Sequence, residues 1–534
     1  MISTSTPVNS HFGGFKLGDT DPYAAGPLGA GWRHAFETKV LPAQTFSPLS
    51  DTDTLGLMLW NGAIETWDYD YDTGTYRTRD KEYKGELTFP TLSTCQWITP
   101  ERTIYTFKAP DRGNNYVMRG RLISIRDFNT NTVELRWNET IGVITQVVGT
   151  VRGVYDFNYN AGGLLTSLSF TTGPSAWQLN FTYDPTNRLT STSVTNTSGL
   201  YTNVPTLWQF TYNTDGLLER ITDPRGFSDT LVQYDRYGRQ TNIVDALGRT
   251  NRTEYGNPGM RQIRRTDAGG FAWVETFDRK HHLLASTDPL GNTTTNTYDL
   301  AGNRISITEP LGNRTLLAYD DRSNPVARTN ALGEVTRSIY HPFFNKPIAD
   351  INALGWTNYY DLDAGGNLLR AYDNLGLLST NTYATNGLRL TATDANGNTT
   401  RFTYDTNGFP IAVTDAASNT TASAVNELGW VLSQTNALGR VTTMDYNLNG
   451  KVVRTVDPLG RITQQVWDGN DNVLFATDAK GATNFFFYDA ENQLTQRVDR
   501  AGFTNLLRYT YSGQVAVTTD ALGISSTNFY DAAR

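Results

Sequence analysis

The sequence feature that most constrains the fold is a turn motif that returns every 21 or 22 residues. It stands at Asp288-Pro289-Leu290-Gly291 and starts again at Glu309-Pro310-Leu311-Gly312. A fixed period of this length indicates a repeat architecture in which each unit contacts mainly its neighbours. The motif starts at Asp223, Asp245, Asp267, Asp288, Glu309, Asn330, Asn352, Asp373, Asp394, Asp415, Asn436, Asp457, Asp478, Asp499 and Asp520.

Each unit carries two turn motifs. The first runs from Asp to Gly, as in Asp288 to Gly291 and Asp457 to Gly460. Asp or Asn at the first position, Pro at the second and Gly at the fourth are typical of a type I turn. The second motif is Tyr-Asp-x-x-Gly, found as Tyr298-Asp299 to Gly302 and Tyr404-Asp405 to Gly408. These residues are predicted to be structural turn residues of the repeat.

Runs of about six residues rich in Thr, Val, Ile, Tyr and Phe lie between the turns, which is a typical strand length. Examples are Arg304 to Thr308, Arg461 to Trp467 and Thr483 to Tyr488. Two strands and two turns per unit predict one β-hairpin per repeat and an all-β, antiparallel chain. Strands such as Thr293 to Thr297 are polar on both faces, whereas a sandwich core requires a strongly apolar face.

Repeated Tyr-Asp-x-x-Gly and Thr-Asp-x-x-Gly motifs near this spacing resemble the YD repeats of Rhs proteins. Those repeats are shared with the toxin-complex cocoon subunits and the teneurin shell. An N-terminal motif is similar to the one that precedes the repeats in bacterial Rhs proteins, and it comprises Gly26, Pro27, Gly29, Gly31 and Trp32. The resemblance implies a long antiparallel β-sheet spiral that forms a hollow shell.

Changes in the regularity of the motif predict three regions. Residues 1–118 lack the period and are expected to form an irregular, β-rich cap. Residues 119–222 carry divergent repeats, with insertions expected near 138–152 and 191–206. Residues 223–534 carry the regular repeats. Because Tyr530-Asp531 opens a turn that the sequence does not finish, we expect the chain to be a segment of a longer protein.

Some units in the regular region depart from the motif. Ser418 stands in place of a turn Gly, Val425 and Trp467 in place of Tyr, and His341 in place of Asp. Tyr360 follows Asn352 by only eight residues, which suggests a shortened unit. A local irregularity such as a β-bulge is therefore expected there.

Composition restricts the partners. The formal net charge is −8, charged residues are 18% of the chain and Arg is scattered along the repeats, which argues against nucleic acid because phosphate binding needs clustered Lys and Arg. The Arg side chains are expected to pair with turn Asp residues or stack on Tyr. The single cysteine, Cys95, excludes an intrachain disulfide framework. No apolar run is long enough to span a membrane, and residues 1–15 lack the features of a signal peptide.

No motif predicts a catalytic site, a cofactor or a metal. Asp residues fixed by the repeat are structural by default. Asp468 to Asn472 and Asp361 to Asp363 are the nearest calcium candidates, but neither has EF-hand spacing with a closing Glu. His281-His282 occupies a turn position without a second zinc ligand. The Rhs self-cleavage motif of the Asp-Pro-x-Gly-Leu type is not matched, because Asn292 and Arg461 follow the two Asp-Pro-Leu-Gly turns.

The resemblance therefore predicts a non-enzymatic, exported or cell-surface bacterial protein whose β-shell encloses a cargo. The cargo it implies is the protein's own C-terminal toxin domain, which would lie beyond residue 534. An extracellular structural or adhesive repeat protein, with further repeats or self-assembly as its contacts, is the alternative. A glycan-binding or glycan-cleaving β-protein is a third interpretation, prompted by the 12% aromatic content.

Overall fold

The computed structural model describes residues 39–42, 54–58, 64–70, 75–78, 85–108, 120–149, 154–170, 177–196, 202–256 and 261–531. These residues form 45 β-strands, and no helix occurs among them. The N-terminal motif of Gly26, Pro27, Gly29, Gly31 and Trp32 lies outside the described residues.

The strands up to residue 244 are β1 Lys39–Pro42, β2 Thr54–Met58, β3 Ile64–Asp70, β4 Thr75–Thr78, β5 Glu86–Thr91, β6 Thr94–Ile98, β7 Ile104–Lys108, β8 Leu122–Arg126, β9 Thr132–Asn138, β10 Val143–Gly149, β11 Val154–Tyr159, β12 Leu165–Phe170, β13 Trp177–Tyr183, β14 Leu189–Asn196, β15 Trp208–Tyr212, β16 Leu218–Thr222, β17 Ser228–Tyr234 and β18 Gln240–Val244. The next are β19 Thr250–Tyr255, β20 Gln262–Thr266, β21 Ala272–Phe277, β22 Leu283–Thr287, β23 Thr293–Tyr298, β24 Arg304–Thr308, β25 Arg314–Tyr319, β26 Pro325–Thr329, β27 Val335–Tyr340, β28 Pro347–Ile351, β29 Thr357–Leu362, β30 Leu368–Asp373, β31 Gly376–Tyr383 and β32 Arg389–Asp394. The last are β33 Thr399–Tyr404, β34 Pro410–Thr414, β35 Thr420–Val425, β36 Val431–Thr435, β37 Val441–Tyr446, β38 Val452–Val456, β39 Ile462–Trp467, β40 Val473–Thr477, β41 Thr483–Tyr488, β42 Leu494–Val498, β43 Thr504–Tyr509, β44 Val515–Thr519 and β45 Ser525–Thr527.

The chain forms two compact units. Unit 1 comprises residues 1–157, 297–307 and 313–420, and unit 2 comprises residues 158–296, 308–312 and 421–534. Within each unit, strands pair antiparallel with their neighbours in the sequence, as β26 does with β27 and β38 with β39. The prediction of an all-β, antiparallel fold built from repeated hairpins is confirmed.

The Asp motif folds as a tight hairpin turn. The N–H of Gly291 donates to the carbonyl oxygen of Asp288 at 3.0 Å, and the N–H of Asp288 donates to that of Asn292 at 2.9 Å. Gly291 has φ of 88°, so the turn is a type I turn followed by a residue in the left-handed region. Such a loop is a common hairpin connection.

The Tyr-Asp half of most repeats contains a β-bulge. Ala318 pairs with Ala327 while Tyr319 pairs with Pro325, so Val326 is an extra residue on the returning strand. The same register shift recurs at Thr403 to Tyr404, where Ile411 is the extra residue. The bulge thus recurs from repeat to repeat, although the pair of β19 with β20 lacks it.

The expectation of a shortened unit after Asn352 is wrong. The turn there is Asp363 to Gly366, whose closing bond links the N–H of Gly366 to the carbonyl of Asp363. Leu362 takes the place of Tyr, so the Tyr360-Asp361 pair lies within β29 and the unit has its full length. The irregular turn follows, since Asp373 pairs directly with Gly376 across a two-residue loop.

The insertion expected near 138–152 is not found in the described residues of that range, 138–149. Val143–Gly149 forms β10, which pairs with β9 on one side and β11 on the other. Near 191–206, β14 extends to Asn196. Thr202 then leaves the hairpin pattern and makes an isolated parallel bridge with Asn447.

Buried apolar side chains concentrate early in the described chain. Of the buried hydrophobic residues, 14 lie between Leu87 and Phe181 and only 8 between Val232 and Leu448. In the early section they share one face, because Phe107 pairs with Cys95 on one side and Leu122 on the other. We call residues 85–181 the packed section and residues 223–531 the regular section.

Candidate functional site: two rows of turns

The turn residues use their side chains as well as their backbones. The Oδ1 atom of Asp288 accepts the N–H groups of Leu290 and Asn292 at 2.9 and 2.8 Å, and its Oδ2 atom accepts the Asn292 amide at 2.8 Å. Asp457 uses the same atoms, with Arg461 donating Nε–H to Oδ2 at 2.6 Å. Each Asp therefore joins the turn to the residue that follows its Gly.

These hydrogen bonds stabilise the charged carboxylate. The Asn292 side chain, followed by backbone N–H groups, holds the pKa of Asp288 below its usual value. The Arg461 side chain does the same for the pKa of Asp457. Hydrogen bonds to the ionised form have this effect generally.

The other predicted turn residues occupy the same kind of loop. The N–H of Gly302 donates to the carbonyl of Asp299, that of Gly408 to Asp405, and that of Gly460 to Asp457. Several non-glycine residues share the left-handed conformation at this position. They are Asn187, His281, Ser323, Ser418, Asp471 and Asn492.

The Tyr of the Tyr-Asp motif reaches back to the preceding hairpin, which sequence reasoning missed. The Tyr404 hydroxyl donates to the carbonyl of Arg389 at 3.0 Å, and the Tyr446 hydroxyl donates to that of Val431 at 2.8 Å. Trp467 replaces Tyr and donates its indole N–H to Val452 at 2.9 Å. Donor and acceptor are 15 residues apart in all three cases. This constant spacing along the repeat was the sequence signal that could have indicated the hydrogen bond. Tyr298 ends β23 at the equivalent position.

The two kinds of turn meet inside unit 1. Asn129, in the Asp turn after β8, exchanges side-chain hydrogen bonds of 3.0 and 3.3 Å with Asn367 in a Tyr-Asp turn. The Asn131 amide donates to the carbonyl of Asn386 at 3.0 Å, in the next such turn. These partners are 238 and 255 residues apart in sequence.

Aromatic side chains extend this contact. Phe128 packs edge-on against Phe344, with ring centroids 5.0 Å apart. The Arg102 guanidinium lies 4.3 Å from the centre of the Phe343 ring and donates to the Phe343 carbonyl at 2.9 Å. His341, which replaces the turn Asp, accepts the N–H groups of Phe343 and Phe344 through Nδ1. The turn at His341 is therefore built to hold the two rings.

Unit 2 contains a charged version of the same contact. Arg225, in the turn that begins at Asp223, donates to the carbonyls of Asp489 and Ala490 at 2.9 and 2.8 Å. Its Nε atom lies 3.2 Å from the Asp223 carboxylate and 3.8 Å from that of Asp468. All three charged side chains are nearly buried. Arg225 therefore links the turn that begins at Asp223 to the two Tyr-Asp turns that begin at Asp468 and Asp489.

A strand-like crossing adds to the unit 2 contact. The N–H of Thr202 donates to the carbonyl of Tyr446, and the N–H of Leu448 donates to that of Thr202, both at 3.2 Å. Asn447 between them is fully buried. The segment that breaks the repeat near 191–206 thus binds a Tyr-Asp turn 245 positions further along the sequence.

Chemical groups that could form a catalytic or metal centre are not gathered within the described ranges. No group of three or more His, Cys, Asp and Glu there could hold a metal ion. Of the calcium candidates, Asp361 is paired with Arg370 at 2.8 Å and Asp468 accepts the turn N–H groups of Asn470 and Asn472. The His282 ring contacts Asp278 at 2.8 Å, in the place that Asn or Arg takes elsewhere. No helix of the described part is long and apolar enough to cross a membrane.

Comparison with known proteins identifies the repeat. The RHS Repeat family model matches residues 212–250, 277–315, 298–335, 383–420 and 426–462. No curated protein matches the sequence.

Among solved structures, the chain is similar to the crystal structure of TcdB2-TccC3, with 13% identity, a TM-score of 0.48, and coverage of 90% of this chain and 33% of that one. It is also similar to the Photorhabdus luminescens Tc holotoxin pore carrying a TccC3 mutation, with 12% identity, a TM-score of 0.49, and coverage of 90% and 35%. The chain spans about a third of the length of those chains. The five matched segments show that this chain contains RHS repeats, as its Tyr-Asp motifs indicated.

Proposed function

We propose that this chain is a non-enzymatic wall segment of an RHS-repeat protein and that the wall encloses a cargo polypeptide. The observation that carries the proposal is the thinness of the regular section. Its strands are partly exposed on both faces, as in the alternating exposure of β25 and β33. A sheet of this kind has solvent-accessible surfaces on two sides and suits a wall better than the centre of a globular core.

The chemistry of the strand faces suits weak contact with a cargo. Thr, Asn and Gln side chains dominate strands such as β23 and β39. Half-exposed rings interrupt them, including Phe485 and Phe487 in β41. Polar surface with scattered apolar side chains can touch an incompletely folded chain at many points without binding any one segment tightly.

The resemblance to bacterial Rhs proteins supplies the identity of the cargo in this proposal. It implies a toxin domain carried C-terminal to the repeats in the same polypeptide. It also implies an exported or cell-surface location. In this function the chain needs neither a catalytic residue nor a cofactor, because containment depends on the wall alone.

The test is an electron cryo-microscopy reconstruction of the full-length natural protein. A second reconstruction uses a version in which everything C-terminal to the repeats is deleted. We expect density enclosed by the β-sheet in the first and its loss in the second. A sheet with no enclosed density in the full-length protein would contradict the container function.

The alternative is an extracellular structural or adhesive repeat protein. The observation in its favour is a series of exposed Leu side chains at the turns, such as Leu354 and Leu438, because exposed apolar groups mark contact surfaces. Filaments in the same micrographs, with no enclosed density, would favour this alternative.

A further inference from the structure

Four Asn-Gly steps lie within the described residues, and each occupies the last two positions of a hairpin turn. They are Asn386-Gly387, Asn396-Gly397, Asn407-Gly408 and Asn449-Gly450. In each turn the N–H of the Gly donates to the carbonyl of the first turn residue at 2.9–3.1 Å. The φ angles of the four Gly residues lie between 76° and 83°, so the steps share one backbone conformation and differ in their surroundings.

The step at Asn396 is the most accessible of the four. Its turn is exposed at every position from Asp394 to Asn398, and a Cβ atom added at Gly397 would meet nothing within 4 Å. The backbone N–H of Asn396 donates to Oδ1 of Asp394 at 2.9 Å, whereas its side chain makes no hydrogen bond to any described residue. The side-chain amide of Asn396 can therefore change its rotamer without breaking a contact.

The step at Asn449 is held by its neighbours in unit 2. The Asn449 amide donates to Oδ1 of Asp471 at 3.0 Å. A Cβ atom added at Gly450 would lie 2.8 Å from the Trp430 ring, so this turn packs against a large side chain. Opening of the turn would disturb both contacts.

The two remaining steps are also more restricted than the step at Asn396. Oδ1 of Asn386 accepts the N–H of Leu388 at 3.2 Å, and the Asn386 carbonyl accepts the amide of Asn131 at 3.0 Å. Asn407 is half-buried and lies two residues before the buried Phe409. Its environment is intermediate between those of Asn396 and Asn449.

The side chain of Asn can react with the peptide group that follows it. The peptide nitrogen of the next residue attacks Cγ, an N–Cγ bond forms, and the Cγ–Nδ2 bond breaks. The Nδ2 group leaves as ammonia and takes the proton of the attacking N–H. Water then opens the cyclic succinimide at one of its two carbonyls, which gives Asp or isoaspartate. A following Gly favours the attack because it has no Cβ atom near the nitrogen.

We propose that Asn396 is a site of spontaneous backbone modification, which converts it to isoaspartate while the other three described steps are protected by their contacts. The Gly N–H must leave its turn hydrogen bond before the nitrogen attacks, so each rate depends on how readily the turn opens. Exposed segments with few contacts open at the lowest cost.

Modification would change the turn at Asn396 permanently. Isoaspartate adds a methylene to the main chain and a carboxylate two positions from Asp394. The turn then loses the spacing of its hydrogen bonds to Asp394, and two negative charges repel each other there. This inference is independent of whether the wall contains a cargo.

Incubation of the purified chain at mildly alkaline pH, followed by proteolysis and mass spectrometry, tests the proposal. The mass change from amide to carboxylate measures the conversion of each Asn, and electron-transfer fragmentation distinguishes isoaspartate from Asp. We expect conversion at Asn396 to be on the order of tenfold faster than at Asn386 or Asn449, because its turn opens more readily. N396K is the matched control, since Lys480 occupies the same turn position; it should fold and lose the site.

Two further measurements separate the effect of the fold from that of the sequence. In the urea-unfolded chain, all four steps should convert at similar rates. D471G removes the acceptor of the Asn449 amide and suits the φ of 65° at position 471, so it should raise conversion at Asn449 severalfold and leave Asn396 unchanged.

Four outcomes would overturn the proposal. They are equal rates at all four steps in the folded chain, a preference for Asn396 that persists in urea, an unchanged rate at Asn449 in D471G, and an intact Asn396 at a time when the unfolded chain has converted.

Discussion

The packed section and the regular section are built from the same antiparallel hairpins but stabilised differently. In residues 85–181, alternate side chains of β6 to β10 form one buried apolar face that includes Phe107, Leu122 and Val147. Among the described residues of 223–531, a much longer stretch, only 8 hydrophobic side chains are buried. Removal of apolar surface from water is the main stabilising term in most folds, and the regular section has little of it.

The regular section compensates with contacts that recur from repeat to repeat. Every turn Asp that we described holds two backbone N–H groups, and successive Tyr hydroxyls bind the preceding hairpin. Each such hydrogen bond makes only a small net contribution to stability, so the stability of this section is spread over many weak interactions. The regular section should tolerate the loss of one such hydrogen bond. The packed section should not tolerate the loss of one buried core side chain.

The largest expected difference comes from removing one ring in each section. Phe107 is fully buried, so F107A should destabilise the packed section by about 3–5 kcal/mol. Phe485 is 44% exposed, and F485A should cost less than about 1 kcal/mol. Urea unfolding, with hydrogen exchange to locate the loss, measures both. Equal costs for the two variants would show that burial does not distinguish the sections.

The next largest difference between the two sections is expected in their stability at low pH. The pKa values of Asp288, Asp394, Asp415 and Asp457 are lowered, chiefly by hydrogen bonds from Asn292, Asn398, Asn419 and Arg461. A carboxylate with a lowered pKa contributes stability above its unfolded pKa of about 3.9, and that contribution is lost as the pH falls through the folded value. Below about pH 4, the regular section should therefore become susceptible to pepsin before the packed section does.

A variant with Asn at these four positions is the matched control for acid. Asn already occupies the first turn position at Asn330, Asn352 and Asn436, where its Oδ1 atom accepts the same backbone N–H groups. The variant should be less stable at pH 7 and should show a weaker dependence on pH between 5 and 3. An unchanged pH dependence would assign the acid sensitivity to other carboxylates.

Two glycines in the regular section separate backbone strain from crowding. Gly450 and Gly460 have φ of 76° and 74°, where a non-glycine residue costs about 1–2 kcal/mol. A Cβ at position 450 would lie 2.8 Å from the Trp430 ring, whereas one at position 460 meets nothing within 4 Å. The midpoint of urea unfolding should therefore fall further for G450A than for G460A. G460N should be milder than G460A, because Asn tolerates this conformation; equal effects of G450A and G460A would exclude crowding.

The sequence predicted the regular section far better than the packed section. Asp288 and Gly291 repeat in phase, and their turn chemistry depends on residues within five positions. The strand Thr483–Tyr488 therefore had the predicted bounds. A β-bulge was expected only after Asn352, where register shifts are found. Its recurrence in most repeats escaped prediction, because one extra residue in repeated units leaves the period unchanged. It emerges only from the division of each unit into halves of 11 and 10 residues, as from Asp288 to Asp299 and from Asp299 to Glu309.

Contacts between distant turns could not be predicted at all. Asn129 and Asn367 are 238 residues apart, and nothing in their local motifs specifies which turn meets which. At Tyr360-Asp361 a local pair was misleading instead, because it lies inside β29 and Ala364 stands where the motif requires Gly. The register was set by Asp363 and Gly366, whose turn hydrogen bond closes the hairpin.

The smallest expected effect tests the Tyr hydrogen bonds that join successive hairpins. Burial raises the pKa of Tyr446, so its hydroxyl stays protonated and donates to the Val431 carbonyl. Y446F leaves that carbonyl without its donor at a partly buried site and should cost about 0.5–1.5 kcal/mol. Y404F should cost less, because the Tyr404 hydrogen bond is exposed and water can replace the hydroxyl. Y511F, in an exposed turn, serves as the control, and urea unfolding compares the three. If Y446F matched the control, the 15-residue hydrogen bonds would contribute nothing to stability, and the regular section would depend on its turns alone.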